Sequence, residues 1–346
     1  MSSLLALAVA LLAPRYDGIA LSPFYENPAE DLRFDEMIDH AAGTGAGVLS
    51  VVVSWSQADI GASTIEPHPK ETQDDAVVRR IVRRARGRGM RVLVFPILWV
   101  THREAGEWRG ALVPLDEAAW WASYRNFILH YARLAAEEQA ELLSVGSELA
   151  SLEDRAERWR ALITAVREVY PGQLMYSANW DHYAHVPFWA SLDLVGMTAY
   201  HRLTERLDPD LRDLVAGWRR ARAPIVAFAS TVGRPLVFTE LGYPGVDGAG
   251  RSPWDYTGSR PLDPDEQRLC YEAFEQVWAG DPLLAGVLFW NWWGRADARD
   301  GWYNPRGKPA EAVVRRWFRR PPPSGEVKNG VECAGVGHCM QNAHAE

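Results

Sequence analysis

Short apolar, β-branched runs recur along the chain, separated by stretches with helical spacing. They fall at GIALS (18–22), GVLSVVVSW (47–55), RVLVFPILW (91–99), ELLSVGS (141–147), QLMYSAN (173–179), LDLVGMTAY (192–200), RPLVFTE (234–240) and LAGVLFWNW (284–292). Near-continuous apolar runs suit strands covered on both faces, since strict alternation is needed only where one face meets water. Between them DDAVVRRIVRRARGRG sets Val77, Val78, Ile81 and Val82 on one side and arginines on the other, with Gly87 and Gly89 as its stop. Its arginine face reads as solvated, not as an anion site. DEAAWWASYRNFILHYARLAAEEQA, DRAERWRALITAVREVYPG, DPDEQRLCYEAFEQVWAGDP and KPAEAVVRRWF have the same spacing, the second ending at Pro171-Gly172 and the third beginning after an Asp-Pro step. Eight strands with crossover helices over roughly 300 residues predict an α/β fold, a (β/α)8 TIM barrel spanning residues 17–319. The alternative, a doubly wound open sheet, calls for a Gly-rich phosphate loop after the first strand, and none follows. That also counts against a nucleotide cofactor.

The flanks add little chemistry. MSSLLALAVALLAP, within residues 1–16, has the length of a signal-peptide apolar region and is too short for a membrane span. It lacks a preceding Lys or Arg, so a truncated export signal and a helix packed under the first strand both stay open, and with them an exported or a cytoplasmic location. Residues 320–346 lose all periodicity after a proline stop and read as a disordered tail. The three cysteines make no disulfide framework: Cys270 lies in a helical pattern, and Cys333 and Cys339 in the tail. Cys333, His338, Cys339 and His344 have no packed context to make them a metal site, so neither metal nor cofactor is expected. A formal net charge of -8 offers no basic field for nucleic acid. The 16 tryptophans, with 12 tyrosines and 10 phenylalanines, can fill a core or line a cleft that stacks on sugar rings.

In a TIM barrel the C-terminal strand ends form the mouth of the active site. Here those ends are Ser54-Trp55, Trp99, Ser147-Glu148, Asn179-Trp180, Tyr200-His201, Glu240 and Trp290-Asn291-Trp292-Trp293. A lone glutamate at a strand end is ordinarily a surface residue, but Glu148 and Glu240 close strands four and seven, which places two carboxyl groups across one mouth. Paired carboxyls among aromatics, without a His or Cys ligand set, suit glycosidic bond cleavage. Retention needs the carboxyls ~5–5.5 Å apart; inversion needs ~6.5–9.5 Å, to admit a water.

Six segments in series resemble glycoside hydrolase family 113 of the A clan of retaining enzymes, whose characterised members act on β-1,4-mannan. They are EWRGALVPLDEAAWWASYRNFILHYARLAAEEQAELLSVGSELASLE, MYSANWDHY, LDLVGMTAYHRL, PLVFTELGYPG, GVLFWNWW and NPRGKPAEAVVRRWF. The resemblance implies a β-linked oligo- or polysaccharide as substrate, with Glu148 of GSEL as acid/base and Glu240 of FTELGY as nucleophile. Glu148 is then expected to hold a proton in an apolar or negatively charged setting, and Glu240 to stay ionised with Tyr200 as a donor. Many clan members place Asn before the acid/base; Ser147 stands there, and Asn179 is a candidate to make the contact with the sugar 2-hydroxyl instead. Trp290 resembles the platform beneath the sugar at the cleavage point, and Trp108 and Arg109 lie in the loop after strand three as in the family pattern. Trp55, Trp99, Trp180 and His201 are further candidates for the cleft, each with core or rim packing as its alternative. Because successive strand residues point oppositely, Trp292 rather than Trp293 is expected beside Trp290. Two other readings stand beside the mannan hydrolase: a β-glycosidase of different specificity, and a catalytically silent carbohydrate-binding barrel.

Overall fold

A computed structural model describes residues 15–22, 28–294 and 297–321, without side chains for 28–32. The N-terminal apolar run and the Cys/His tail therefore lie outside the described residues. Eight parallel strands close on themselves in sequence order: β1 (Gly18–Leu21), β2 (Val48–Gln57), β3 (Arg91–Val100), β4 (Leu142–Ser147), β5 (Gln173–Ala178), β6 (Leu194–Thr198), β7 (Leu236–Leu241) and β8 (Leu284–Phe289). Each expected run overlaps one of them, β2, β3 and β7 continuing one or two residues further. The α-helices among the described residues are α1 (Pro28–Thr44), α2 (Asp75–Gly87), α3 (Glu117–Glu137), α4 (Ala156–Arg167), α5 (Leu211–Val232), α6 (Pro264–Trp278) and α7 (Ala310–Arg319). The crossover from β5 to β6 has no α-helix, only the 3-10 turns Tyr183–His185 and Trp189–Ser191. None of these helices is long and apolar enough to cross a membrane.

Strand alternation divides the core in two. Val48, Val52, Leu93, Phe95, Met175 and Leu288 point into the barrel, while Val51, Val53, Val94, Val145 and Tyr176 point out against the helices. Tyr16 plugs the interior, its hydroxyl donating to Gln173 Oε1 at 3.0 Å.

The helices begin where local chemistry lets them. Asp116 caps α3 by accepting from the Ala119 N–H at 2.9 Å, and Asp263 caps α6 in the same way, with Pro264 in the first turn. Buried Val78, Ile81, Val82 and Ala85 fasten α2 to the sheet. Its arginine face is more than solvated: Arg84 and Arg88 bind Asp39 on α1, and Arg79 and Arg83 bind the buried Glu138 after α3. Helices α1 and α5 are not among those the periodicity picks out. Within α5, Pro224 interrupts the pattern, yet Asp210 and Asp213 form a capping box at its start and Gly233 ends it at φ 66°.

Candidate active site

The two glutamates stand where the barrel is least regular. The β4–β5 register shifts between Ser144 and Ser147, immediately before Glu148, and the β7–β8 register shifts between Phe238 and Leu241, around Glu240. Such irregularities re-aim side chains at the rim of a barrel. Glu148 adopts φ 56°, a left-handed conformation unfavourable for a residue with a Cβ, and its N–H is fixed on Ser177 O at 2.8 Å. Glu148 is 6% and Glu240 3% exposed, so both carboxyls are largely out of bulk water.

The strand between them brings them to one place. Thr198 and Tyr200, two residues apart along β6 and its continuation, share the inward face, a separation of about 7 Å at strand rise. Thr198 Oγ1 donates to Glu148 Oε1 at 2.7 Å, and the Tyr200 hydroxyl donates to Glu240 Oε2 at 2.9 Å. Arg109 Nη2 donates to Glu148 Oε2 at 2.6 Å. Asn179 Oδ1 lies 3.2 Å from Thr198 Oγ1, with its amide donating to Asp181. Among the described atoms Glu240 Oε1 and the Ser147 hydroxyl are buried without a partner.

The surroundings of Glu240 disfavour its charge. Burial, and then the charge of Glu148, push Glu240 up to about 8; the Arg109 charge and the Tyr200 hydrogen bond pull the other way without cancelling this. Glu240, the carboxyl expected to be ionised, is thus raised. The reason is placement: Arg109 bonds to Glu148, leaving Glu240 with a neutral phenol. Burial and the neighbouring carboxylates hold the Tyr200 phenol far up, so it remains a donor.

Two buried carboxyls that interact through their charges, at the C-terminal mouth of a closed (β/α)8 barrel, are suited to acid-assisted displacement at a sugar carbon. The sequence profile of Glycoside Hydrolase Family 113 matches residues 24–304. The chain belongs to glycoside hydrolase family 113. No curated protein sequence matches it significantly. A solved GH113 β-mannanase, AaManA from Alicyclobacillus acidocaldarius in complex with ManMIm, is 26% identical with a TM-score of 0.79, the match covering 89% of this chain and 98% of that one. A GH113 β-1,4-mannanase determined as a complex has the same TM-score at 20% identity, over 89% of this chain and 100% of that one. A Faecalibacterium prausnitzii β-glucuronidase shares the fold at 14% identity and a TM-score of 0.60, over 90% of this chain and 50% of that one.

The other residues expected in this family 113 site divide by direction. Trp290 is half-buried and packs on the barrel interior, its N–H bonded to Leu241 O at 2.8 Å, and its peptide bond to Asn291 is cis. Trp99 has the inward parity of Phe95 and Ile97, with the Arg103 guanidinium over its ring. Trp108, half-buried, lies over Gly110, where a Cβ would come within 2.3 Å of the indole. Trp180 stacks on Trp254 at 5.7 Å, at the rim. His201 is buried edge-on to Trp180 and Trp218, and burial pushes it down to about 4; it is a neutral ring enclosed by indoles rather than one open to the mouth.

Two expectations are overturned. Trp55 points outward and stacks on Phe127 of α3 at 5.4 Å, because odd positions of β2 face the helices. Trp292 is 1% exposed in the outer layer, stacked on His40 of α1 at 5.3 Å, not beside Trp290. Strand β8 ends at Phe289, so a two-residue period has no hold on position 292. Thr198 was missed, though its signal was legible: it stands two residues before Tyr200 on the same strand face. Tyr303, buried at 6.1 Å from Tyr200, comes from a loop whose course the sequence pattern does not announce.

Proposed function

We propose that the chain hydrolyses β-1,4-linked mannan or manno-oligosaccharides with retention, through a glycosyl-enzyme intermediate on Glu240. The observation that carries this reading is the asymmetry of the Glu240 carboxyl, which interacts with the charge of Glu148: Oε2 is held by Tyr200, while Oε1 is buried without a partner. An oxygen so placed is ready for an electrophile. The choice of substrate is supported by the likeness to the GH113 β-mannanases.

In the first step the Glu148 proton passes to the glycosidic oxygen, the C1–O bond breaks, and Glu240 Oε1 bonds to C1. In the second, a water gives its proton to Glu148 and attacks C1, and Glu240 leaves as carboxylate. The pair must therefore hold one proton, and titrates as a unit. In the ligand-free site burial and the charge of Glu148 raise Glu240 to about 8, which favours a proton on that carboxyl. Positive charge developing at C1 favours ionised Glu240, so the proton moves to Glu148, and Arg109 yields the Glu148 oxygen it holds. In this reading Asn179, Ser147 and Arg109 bind the sugar hydroxyls, Trp290 supports the ring, and Trp99, Trp108 and Trp180 serve further along the cleft.

Glu240→Ala and Glu148→Gln are expected to lower kcat/KM on manno-oligosaccharides by about 10²–10⁴ or more while leaving the circular dichroism spectrum unchanged. NMR of the first product should show the β-anomer. An α-anomer would rule out retention, release only from gluco-oligosaccharides would move the specificity, and no release from any β-glycan would leave a binding barrel.

A further inference from the structure

We infer that Tyr176 and Glu153 are positioning residues for Glu148, acting through the Leu149 N–H; this rests on the acid/base reading of Glu148. Tyr176 sits on the outer face of β5 and Glu153 after the Ala150–Leu152 turn, both buried and neither able to touch a sugar in the barrel mouth. The Tyr176 hydroxyl accepts from the Leu149 N–H at 2.9 Å and donates to Glu153 Oε1 at 2.7 Å. Glu153 Oε2 is 2.9 Å from His182 Nδ1.

The donor count fixes the direction of this chain. A tyrosine hydroxyl has one hydrogen; with Leu149 as donor to its oxygen, that hydrogen goes to Glu153, which accepts only when it is not itself the donor. Hydroxyl and carboxylate thus hold the peptide plane between residues 148 and 149 in one orientation. That plane follows the φ 56° of Glu148, a conformation that persists only where its surroundings over-determine it. Neighbouring bonds pin the segment on either side: Tyr124 donates to Val145 O at 2.9 Å, and Trp159 Nε1 donates to Leu152 O at 2.9 Å. Close to Glu148 itself, the outer-layer anchor is Tyr176. Without its hydroxyl the Leu149 N–H is buried and unpaired, and a turn of the peptide that lets it find another acceptor swings Glu148 away from Thr198 and Arg109. The outer layer, which ordinarily serves stability, here holds the aim of an acid that works on the inner side.

The test compares the full-length parent with Tyr176→Phe, Glu153→Gln and Glu148→Gln. Values of kcat/KM, which report the glycosylation step, are measured on mannotetraose and on a dinitrophenyl β-mannobioside, whose leaving group departs without protonation. Tyr176→Phe is expected to lose about ten- to a hundredfold on mannotetraose, a misaimed acid being that costly, and to stay close to the parent on the aryl substrate. Glu153→Gln should do the same, and it carries the test alone should Tyr176→Phe not fold. Equal losses on both substrates, or a fall in Tm with no selective loss, would overturn the positioning role. Glu148→Gln separates the two levels of argument: if it does not discriminate between the leaving groups, the acid/base reading fails first and the positioning role with it.

Discussion

The two oxygens of Glu240 meet different surroundings, and its proton follows from them. Buried beside a second carboxylate, the group prefers to be neutral up to about pH 8. A carboxyl raised in the folded state binds more protons there than in the unfolded chain, so its contribution to stability is complete below the ordinary glutamate range and is lost as pH rises through about 8. Glu240→Gln removes that dependence. Thermal denaturation is expected to show the variant more stable than the parent at pH 8 to 9, with the difference vanishing near pH 4; a pH-independent difference would mean the carboxyl is not strained. The same titration sets the alkaline limit of catalysis: once the pair has lost its one proton no acid remains, and kcat/KM should fall above about pH 8. That Glu148, Glu240 and Tyr200 converge was legible from their strand ends. The upward shift of Glu240 was not, because it depends on burial and on where the Arg109 guanidinium, 39 residues from Glu148 along the chain, comes to rest.

Strands and helices decide which tryptophans meet solvent. In β2 the alternation is regular, so the outward direction of Trp55 was available from the parity of Val51 and Val53. After β8 it was not, since the pleat stops at Phe289 and the next residues follow a loop. The consequence is measurable. Trp292→Ala should cost about 3–5 kcal/mol of stability, as a large aromatic leaves a filled space between α1 and the barrel, with KM unchanged. Trp290→Ala should reverse the pattern, with a small change in Tm and a large loss of kcat/KM. Should Trp292→Ala raise KM at full stability, its assignment to the outer layer is wrong. Helix α5 shows another limit of periodicity: Pro224 argues against a helix locally, and the capping box and the buried face of Leu214, Trp218 and Ile225 prevail over it.

Closure of the barrel depends on its shortest strand. Strand β1 has four residues and meets β8 through two register pairs, Gly18↔Leu288 and Ile19↔Phe289, as few as join the longer β3 to β4, whereas β2 and β3 match from Val48↔Arg91 to Gln57↔Val100. Local opening follows the weakest seam. Hydrogen exchange is therefore expected to be faster at Ile19 and Phe289 than at Val52 and Phe95 in the β2–β3 ladder, and slower exchange at the β1–β8 seam would show that closure is not the weak point. The sequence alone determined the strands, their order and the strand-end positions of the two glutamates, because apolar runs and strand ends are local properties and a parallel barrel leaves few ways to arrange them. Only the tertiary structure decided how the groups around those glutamates are shared out. Arg109 and Thr198 reach Glu148 from a loop and a separate strand, and an interaction across space depends on where the chain returns, not on the spacing along it.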